Sequence, residues 1–171
     1  RFDVVFVVNG LPLVIGEAKT PTRSAVTWFD GAFQINQIYE KEIPAMFVPN
    51  IFSFATEGKL FRYGSIRMPI EMWGPWRDEQ NQDEGRMEHV QATVRSMLRP
   101  EIVLDIALNF TLFATDKKHR RIKIICRYQQ YEAANKIVER VLAGYPRKGL
   151  IWHFQGSGKS LLMVFAAQKL R

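Results

Sequence analysis

Residues 1–20 read RFDVVFVVNGLPLVIGEAKT and contain the strongest structural signal in the 171-residue chain. Two apolar runs rich in β-branched residues flank Asn9-Gly10, the dipeptide that most strongly favours a tight turn between antiparallel strands. Inside these runs, charge appears only toward the open end of the predicted hairpin: Asp3 on the first strand, Glu17 and Lys19 on the second. Glu17 and Lys19 are two residues apart, so they project from the same face of a strand.

An acidic pair beside a lysine is typical of a divalent-metal site. Mg²⁺ prefers hard oxygen ligands, often one or two carboxylates together with water and phosphate oxygens. A neighbouring lysine can orient an attacking water or stabilise negative charge on a phosphate. The open end of the hairpin therefore suggests a magnesium site with a cation next to it.

The spacing of the hairpin tests this interpretation. With a strict two-residue loop, Asp3 lies opposite Gly16 and Glu17 points to the other face of the sheet, which makes a shared metal impossible. A three-residue loop or one β-bulge returns Asp3 and Glu17 to the same face, and Pro12 favours such an irregularity because it cannot donate to the strand ladder. The alternative is an ordinary hairpin with charges at its frayed ends.

Asp3, with Glu17-Ala18-Lys19 across the predicted hairpin, resembles the D…ExK signature of restriction-endonuclease-like nucleases. The longer string FVVNGLPLVIGEAK, residues 6–19, is similar to the nuclease domain of the restriction (R) subunit of type I restriction-modification enzymes. This resemblance implies an α/β fold for residues 1–115, a restriction-endonuclease-like mixed sheet flanked by helices. It also implies that Asp3 and Glu17 bind Mg²⁺ and that Lys19 positions water for phosphodiester hydrolysis.

Residues 25–41 predict a helix, because apolar residues recur there at helical spacing. In the resembling nucleases, a Gln-x-x-x-Tyr pair on this helix helps to hold the site on DNA. Here Ile35 stands four residues before Tyr39, and Gln34 and Gln37 lie off that spacing. We therefore interpret the two glutamines as solvated amides on the helix surface.

The middle of the chain predicts two further strands and then two helices, at 51–56, 59–64, 83–98 and 100–113. We expect Trp73 and Trp76 to anchor their loop onto the core; the alternative is that they stack on bases. Asp105 follows an apolar run, as a Walker B carboxylate does. We reject that interpretation because Asp105 precedes the phosphate loop and because Pro100 suits the first turn of a helix.

A phosphate-binding loop is predicted near the carboxyl end. Residues 150–154 form an apolar strand candidate that leads into Gln155-Gly-Ser-Gly-Lys-Ser160, and residues 161–170 have helical spacing. Strand, glycine-rich turn, Gly-Lys-Ser and helix is the arrangement that such a loop requires. In it, backbone N–H groups and the helix N-terminus face the phosphates, a lysine reaches the β/γ-phosphates and a serine helps to hold Mg²⁺. The predicted nucleotide-binding residues are Gly156, Ser157, Gly158, Lys159 and Ser160, of which Ser160 is also a metal ligand.

The loop departs from the full pattern at His153, where a first glycine is expected. That departure matches superfamily-2 helicases, and the string WHFQGSGKS, residues 152–160, resembles the motor motif of the type I R subunit. Gln130 resembles the glutamine with which such motors read the adenine edge. The resemblance implies that residues 116–171 contain the first strand–P-loop–helix elements of a RecA-like motor domain. The charged run 115–121 is placed at the boundary and is interpreted as a solvated linker rather than a dedicated DNA contact.

Composition sets broader limits. A net charge of +7 makes a polyanion a reasonable partner, and the single cysteine, Cys126, excludes a disulfide framework and suits a reducing cytoplasm. No apolar run is long enough to span a bilayer, so no membrane partner is expected. Because the sequence begins without methionine and ends within a predicted helix, we expect it to be a piece of a longer chain.

Together these features predict an ATP-dependent endonuclease and translocase subunit of a type I restriction enzyme, in the cytoplasm of a bacterium or archaeon. The resemblance implies Mg²⁺ and ATP as cofactors and double-stranded DNA as substrate. It also implies modification and specificity subunits as partners. The residues present are not expected to hydrolyse ATP by themselves, because the sequence contains no Walker B carboxylate after the loop. The alternatives are a P-loop regulatory module or a DNA-binding module, either with a nuclease-like but inactive sheet.

Overall fold

A computed structural model describes residues 1–23, 25–77 and 84–171. The strands are β1 (Val4–Val8), β2 (Leu11–Ala18), β3 (Phe52–Thr56), β4 (Phe61–Gly64), β5 (Thr111–Thr115) and β6 (Arg121–Ile125). The helices are α1 (Trp28–Phe33), α2 (Glu40–Glu42), α3 (Met87–Met97), α4 (Pro100–Asn109), α5 (Tyr128–Ala143) and α6 (Lys159–Leu170), with a π-helical segment, Gln34–Tyr39, between α1 and α2. Two short 3₁₀ turns lie at Pro44–Phe47 and Ile70–Met72. The expected mixed α/β architecture is confirmed.

The four amino-terminal strands form one mixed sheet in the order β1-β2-β3-β4. β2 and β3 are parallel, whereas the outer pairs are antiparallel. The turn at Asn9-Gly10 has positive φ at both residues, 50° and 81°, as a tight hairpin turn requires. Beyond it the register shifts: Val7 pairs with Pro12, but Phe6 pairs with Val14. The predicted β-bulge therefore exists, next to the proline that cannot donate.

Apolar side chains cover both faces of this sheet. On one face, α1 and the π-helical segment pack over Ile15 and Ala55, together with Trp73. Gly31 allows α1 to approach closely, because a Cβ at this position would lie 3.2 Å from the Cβ atoms of both Ala55 and Glu17. On the other face, Phe52 and Phe54 pack in a second cluster, which also contains residues from α3, α4, α5 and α6. Helix α1 thus lies directly over the carboxyl end of β2.

The two tryptophans anchor their loop, as predicted. Trp73 is 5% and Trp76 3% exposed. The Trp76 ring contacts three tyrosine rings at centroid distances of 5.0–5.8 Å: Tyr63 from the sheet, and Tyr128 and Tyr131 from α5. These contacts hold the carboxyl-terminal helices against the sheet.

The helix expected over 100–113 ends earlier than predicted. Helix α4 stops at Asn109, and the buried Phe110 caps it with a hydrogen bond from its N–H to the carbonyl of Ile106. From Thr111 the chain forms β5, which pairs with β6 in a separate two-stranded ribbon. The charged run 115–121 forms the turn of this ribbon together with the paired strand residues Thr115 and Arg121, and is not an open linker. Residues 78–83, which include the predicted start of α3, lie outside the described part of the chain.

Asp105 joins three helices rather than ending a strand, which confirms the rejection of a Walker B role. It lies on α4 and accepts hydrogen bonds from the Tyr131 hydroxyl of α5 at 3.0 Å and the Lys169 ammonium of α6 at 2.5 Å. Lys169 also donates to Asn135 at 2.7 Å. The polar cluster fixes α6 against the helices that precede it.

The strand expected at 150–154 does not form. Leu150, Trp152 and Phe154 are 84%, 88% and 70% exposed, and no strand among the described residues pairs with this segment. A β-strand needs a neighbouring strand for its backbone hydrogen bonds. Among the described residues this apolar segment has none, so it does not form a strand. Among the described residues, no helix has both the length and the apolar content needed to cross a membrane.

Gly16 on β2 offers a test of sheet packing. A Cβ there would lie 2.2–2.7 Å from ring atoms of Phe54, which is 4% exposed and stacked on Phe61 at a centroid distance of 5.1 Å. We expect Gly16→Ala to lower the free energy of unfolding by about 1–3 kcal/mol through overpacking. Gly74→Ala, whose Cβ would have no neighbour within 4 Å, should change it by less than about 0.5 kcal/mol. Urea unfolding measures both, and equal effects would contradict the assigned packing.

Glu40 on α2 connects that helix to the loop after β4. Its Oε2 accepts the backbone N–H of Arg67 at 2.9 Å, and its buried Oε1 has no hydrogen-bond partner among the described residues. Burial raises the pKa of Glu40 from 4.5 to about 7, against the opposing effect of the Arg67 hydrogen bond.

The raised pKa of Glu40 predicts a pH dependence of stability. Because the folded state binds this proton more tightly than the unfolded state, the stabilising contribution is fully present below pH 4.5 and is lost as pH rises to about 7. The free energy of unfolding of the wild type should therefore fall relative to that of Glu40→Gln across this window and run parallel above it. Urea unfolding from pH 4 to 8 measures the difference. The exposed Glu42→Gln is the control, and the same trend there would refute the assignment to Glu40.

Candidate functional site

The β-bulge brings Asp3 and Glu17 to the same end of the hairpin. Past the bulge, Val4 pairs with Gly16, so Asp3, the residue just before β1, lies opposite Glu17. The Asp3 carboxylate reaches across to β2, where its Oδ2 accepts the backbone N–H of Ala18 at 3.1 Å. The geometry that the metal interpretation requires is therefore present: two carboxylates from neighbouring strands on one face.

Glu17 is a buried acid whose pKa is raised by burial and by Asp3 and lowered by Lys19. Its side chain is 1% exposed, and burial, the largest effect, raises its pKa above 4.5. The ammonium of Lys19, 3.0 Å from Oε2, opposes this increase, while the carboxylate of Asp3 adds to it. Glu17 Oε1 is buried without a hydrogen-bond partner among the described residues. A cation would satisfy that oxygen and relieve the repulsion between the two acids.

The donor set fits Mg²⁺ in kind. Within the described ranges, no group of three or more His, Cys, Asp or Glu side chains converges on one point. Two carboxylates are nevertheless the usual protein contribution to a magnesium site, in which water and phosphate oxygens supply the other ligands. The unpartnered Oε1 of Glu17 and the adjacent Asp3 carboxylate therefore fit this metal.

Lys19 is held from two sides. Its ammonium donates to Glu17 and, at 2.5 Å, to the side-chain oxygen of Gln34. Gln34 in turn donates through Nε2 to the hydroxyl of Tyr39, which donates to the carbonyl of Arg1 at 2.8 Å. A continuous chain of hydrogen bonds thus fixes the amine beside the buried acid.

The interpretation of Gln34 as a solvated amide is wrong, and the π-helical segment explains why. Gln34 and Tyr39 are five residues apart, a separation that places them on different faces of an α-helix. In a π-helix, hydrogen bonds run between residues five apart, so the wider turn aligns these two positions. Gln37, by contrast, bonds to Asn36 and Lys41 rather than to Lys19. The sequence indicates this only through Gln34 and Tyr39, whose spacing is one residue wider than the Gln-x-x-x-Tyr pair of the resembling nucleases.

Tyr39 is buried behind this chain of hydrogen bonds. It is 6% exposed and its ring meets Phe2 edge-on at a centroid distance of 4.7 Å. Burial and the negative charge of Glu17 raise the pKa of Tyr39, so the hydroxyl keeps its proton as a donor. It therefore anchors the amino-terminal segment that carries Asp3.

The second site is the glycine-rich loop before α6. Gly156 and Gly158 have φ of 84° and 81°, the left-handed conformation that favours glycine. Helix α6 begins at Lys159, as the phosphate-loop pattern requires, and Ser160 is exposed at its start. The ammonium of Lys159 donates to the carbonyls of His153 and Phe154 at 3.0 and 2.9 Å. The lysine thus folds back over its own loop.

Gln130 holds this loop through hydrogen bonds to its backbone carbonyls. It is 3% exposed; its Oε1 accepts the backbone N–H of Arg127 at 2.8 Å, and its Nε2 donates to the carbonyls of Ser157 and Gly158 at 3.4 and 3.2 Å. The Gln130 side chain therefore lies at the loop, as its predicted position upstream of Lys159 suggests. Reading of adenine by this glutamine stays a prediction.

Comparison with known proteins first defines the class. Residues 1–69 match the family model of the type I restriction enzyme R protein N terminus, and residues 129–171 match that of the SWI2/SNF2 ATPase. The endonuclease subunit of the type I restriction enzyme HindI from Haemophilus influenzae is 35% identical to this chain over 98% of the chain's length. Over 97% of it, a putative MjaVIIIP endonuclease subunit of Methanocaldococcus jannaschii is 33% identical.

Over nearly its whole length the chain is therefore similar to type I restriction enzyme endonuclease (R) subunits, as the resemblance indicated. It spans 17% and 16% of the length of these two relatives.

The contact between Gly158 and Gln130 gives a prediction for the loop. A Cβ at Gly158 would lie 2.3 Å from Gln130 Nε2, whereas one at Gly156 would have no neighbour within 4 Å. We expect Gly156→Ala to cost about 1–2 kcal/mol of unfolding free energy through its backbone alone. Gly158→Ala should cost about 1 kcal/mol more, because Gln130 loses its hydrogen bonds.

The matching control is the double-mutant cycle with Gln130→Ala, monitored by urea unfolding. The additional cost of Gly158→Ala should disappear in the Gln130→Ala background. Equal costs in both backgrounds would mean that Gln130 does not support the loop.

Proposed function

We propose that the protein is the ATP-dependent endonuclease and translocase subunit of a type I restriction enzyme, which cleaves double-stranded DNA with Mg²⁺ at the Asp3–Glu17 site. Residues 1–115 would form a restriction-endonuclease-like nuclease domain and residues 116–171 the start of a RecA-like motor. Modification and specificity subunits would be its partners. The single observation that carries this proposal is the juxtaposition, by a β-bulge, of two carboxylates with a lysine held by Glu17 and Gln34.

In the nuclease site, Asp3 and Glu17 would hold Mg²⁺. The metal would supply Lewis-acid polarisation of the phosphate and a lowered pKa of bound water. Lys19, bonded to the Glu17 carboxylate, can donate to a phosphate oxygen or to the attacking water. Gln34 and Tyr39 keep the Lys19 amine in place, which lowers the entropic cost of orienting it.

In the nucleotide site, the backbone N–H groups of the loop and the start of α6 would surround the phosphates of ATP. Lys159 would exchange its two bonds to the His153 and Phe154 carbonyls for phosphate oxygens. Ser160 would help to hold the Mg²⁺ that accompanies the nucleotide.

The test is cleavage of duplex DNA by the protein assembled with its partner subunits, in the presence of ATP and Mg²⁺. Asp3→Asn should reduce cleavage to background while leaving ATP hydrolysis intact, because it removes a metal ligand but not the motor. Replacement of Gln34 by Ala should slow cleavage by about 10- to 100-fold through the misplaced Lys19 amine.

Gln37→Ala is the control for the helix itself, since Gln37 lies three residues from Gln34 without contacting Lys19; it should cleave at the wild-type rate. Wild-type cleavage by Asp3→Asn would eliminate the proposed nuclease site. Absence of cleavage by the wild type, with nucleotide binding retained, would favour a P-loop module with an inactive sheet.

A further inference from the structure

The β5–β6 ribbon, residues 111–125, carries the densest positive charge in the described chain. Its loop and the first residue of β6, residues 116–121, contain four Lys or Arg against one Asp, a net charge of +3 in six residues of a chain whose net charge is +7. Lys117, Lys118, Arg120 and Arg121 are all exposed. The ribbon lies between the two regions that the family models match, residues 1–69 and 129–171.

Asp116 organises the loop instead of neutralising it. Its Oδ1 accepts the backbone N–H groups of Lys118 and Arg120 at 2.8 and 2.9 Å, and its Oδ2 accepts Nε of Arg120 at 2.9 Å. These bonds, the one from the Arg120 backbone above all, lower the pKa of Asp116. Within the described residues, no ion pair involves Lys117, Lys118 or Arg121.

The ribbon is fixed to the sheet that carries Glu17. Ser65, just past β4, donates its hydroxyl to the carbonyl of Lys123 at 2.7 Å, and Tyr63 donates to the carbonyl of Cys126 at 2.8 Å. Lys123 itself donates to the carbonyl of Asn50. These bonds attach the end of the ribbon at Lys123 and Cys126 to the sheet that carries the acidic pair.

We propose that the β5–β6 ribbon is a docking element for the sugar-phosphate backbone of duplex DNA, separate from the nuclease and nucleotide sites. A two-stranded ribbon has the dimensions to follow a groove of B-DNA, and exposed Lys and Arg on an ordered loop recognise phosphates without reading sequence. The loop exposes cations rather than an apolar patch, which favours a polyanion over an ordinary protein interface. The duplex as partner rests on the proposed function.

The experiment measures the affinity of the protein for a duplex of arbitrary sequence over a series of salt concentrations. The test variant is the triple substitution Lys117→Gln, Lys118→Gln and Arg121→Gln, which leaves the Arg120–Asp116 pair intact. If each side chain contacts one phosphate, the slope of log K against log salt should become shallower by about 2 to 3, at about 0.9 per contact.

The matched control removes three exposed cations elsewhere, through Lys41→Gln, Arg95→Gln and Arg99→Gln. It should change the slope by less than about 1, since it removes the same net charge from other surfaces. If the triple ribbon variant unfolds, the single variants Lys117→Gln and Arg121→Gln replace it, each with an expected change of about 0.9.

An unchanged slope in the ribbon variants, or an equal change in the control, would overturn the docking role while leaving the nuclease proposal in place. Preference of the ribbon for vesicles of anionic phospholipid over duplex would overturn it as well. Failure of the wild type to bind duplex in complex with its partners would instead refute the DNA substrate of the proposed function.

Discussion

The arrangement of the amino-terminal site depends on a single extra residue in β2. Leu13 has no partner on β1, and this local shift moves every later pair of the hairpin by one position. Since side chains alternate across a strand, the shift decides whether Asp3 and Glu17 share a face or are separated by the sheet. Without this shift, the buried Glu17 carboxyl, with its contact to Lys19 and its raised pKa, would lie on the opposite side of the sheet from Asp3.

A second irregularity completes the same site from the helical layer. The π-helical segment widens one turn between α1 and α2 and brings Gln34 and Tyr39 into line, so that the glutamine reaches Lys19 and the tyrosine reaches Arg1. Regular strands and an uninterrupted α-helix would place the same residues apart. The site is thus assembled by one bulge and one π turn, both local departures from ideal secondary structure that commonly occur near functional groups.

The sequence could predict most of the regular structure, because hydrophobic periodicity and turn residues act locally. The tight turn at Asn9-Gly10 and the need for a bulge are both visible in the residue pattern. The π turn could not be predicted, since hydrophobic periodicity does not distinguish a π-helical turn from an α-helical one. The end of α4 at Asn109 is hard to predict because Phe110, Leu112 and Phe113 fit a helical pattern as well as a strand pattern. The apolar composition of residues 150–154 favours a strand, although strand formation also requires a neighbouring strand.

The apolar cluster around Phe110 contains side chains from both family-matched regions of the chain. Phe110 packs against Tyr131 at 4.7 Å and against Phe165 at 5.5 Å between ring centroids, and the same cluster extends to Val14 and Phe52 in the sheet. Because this cluster is contiguous across the two regions, we expect them to unfold in a single transition. The glycine-rich loop before α6 and the sheet that carries the acidic pair therefore share one apolar core.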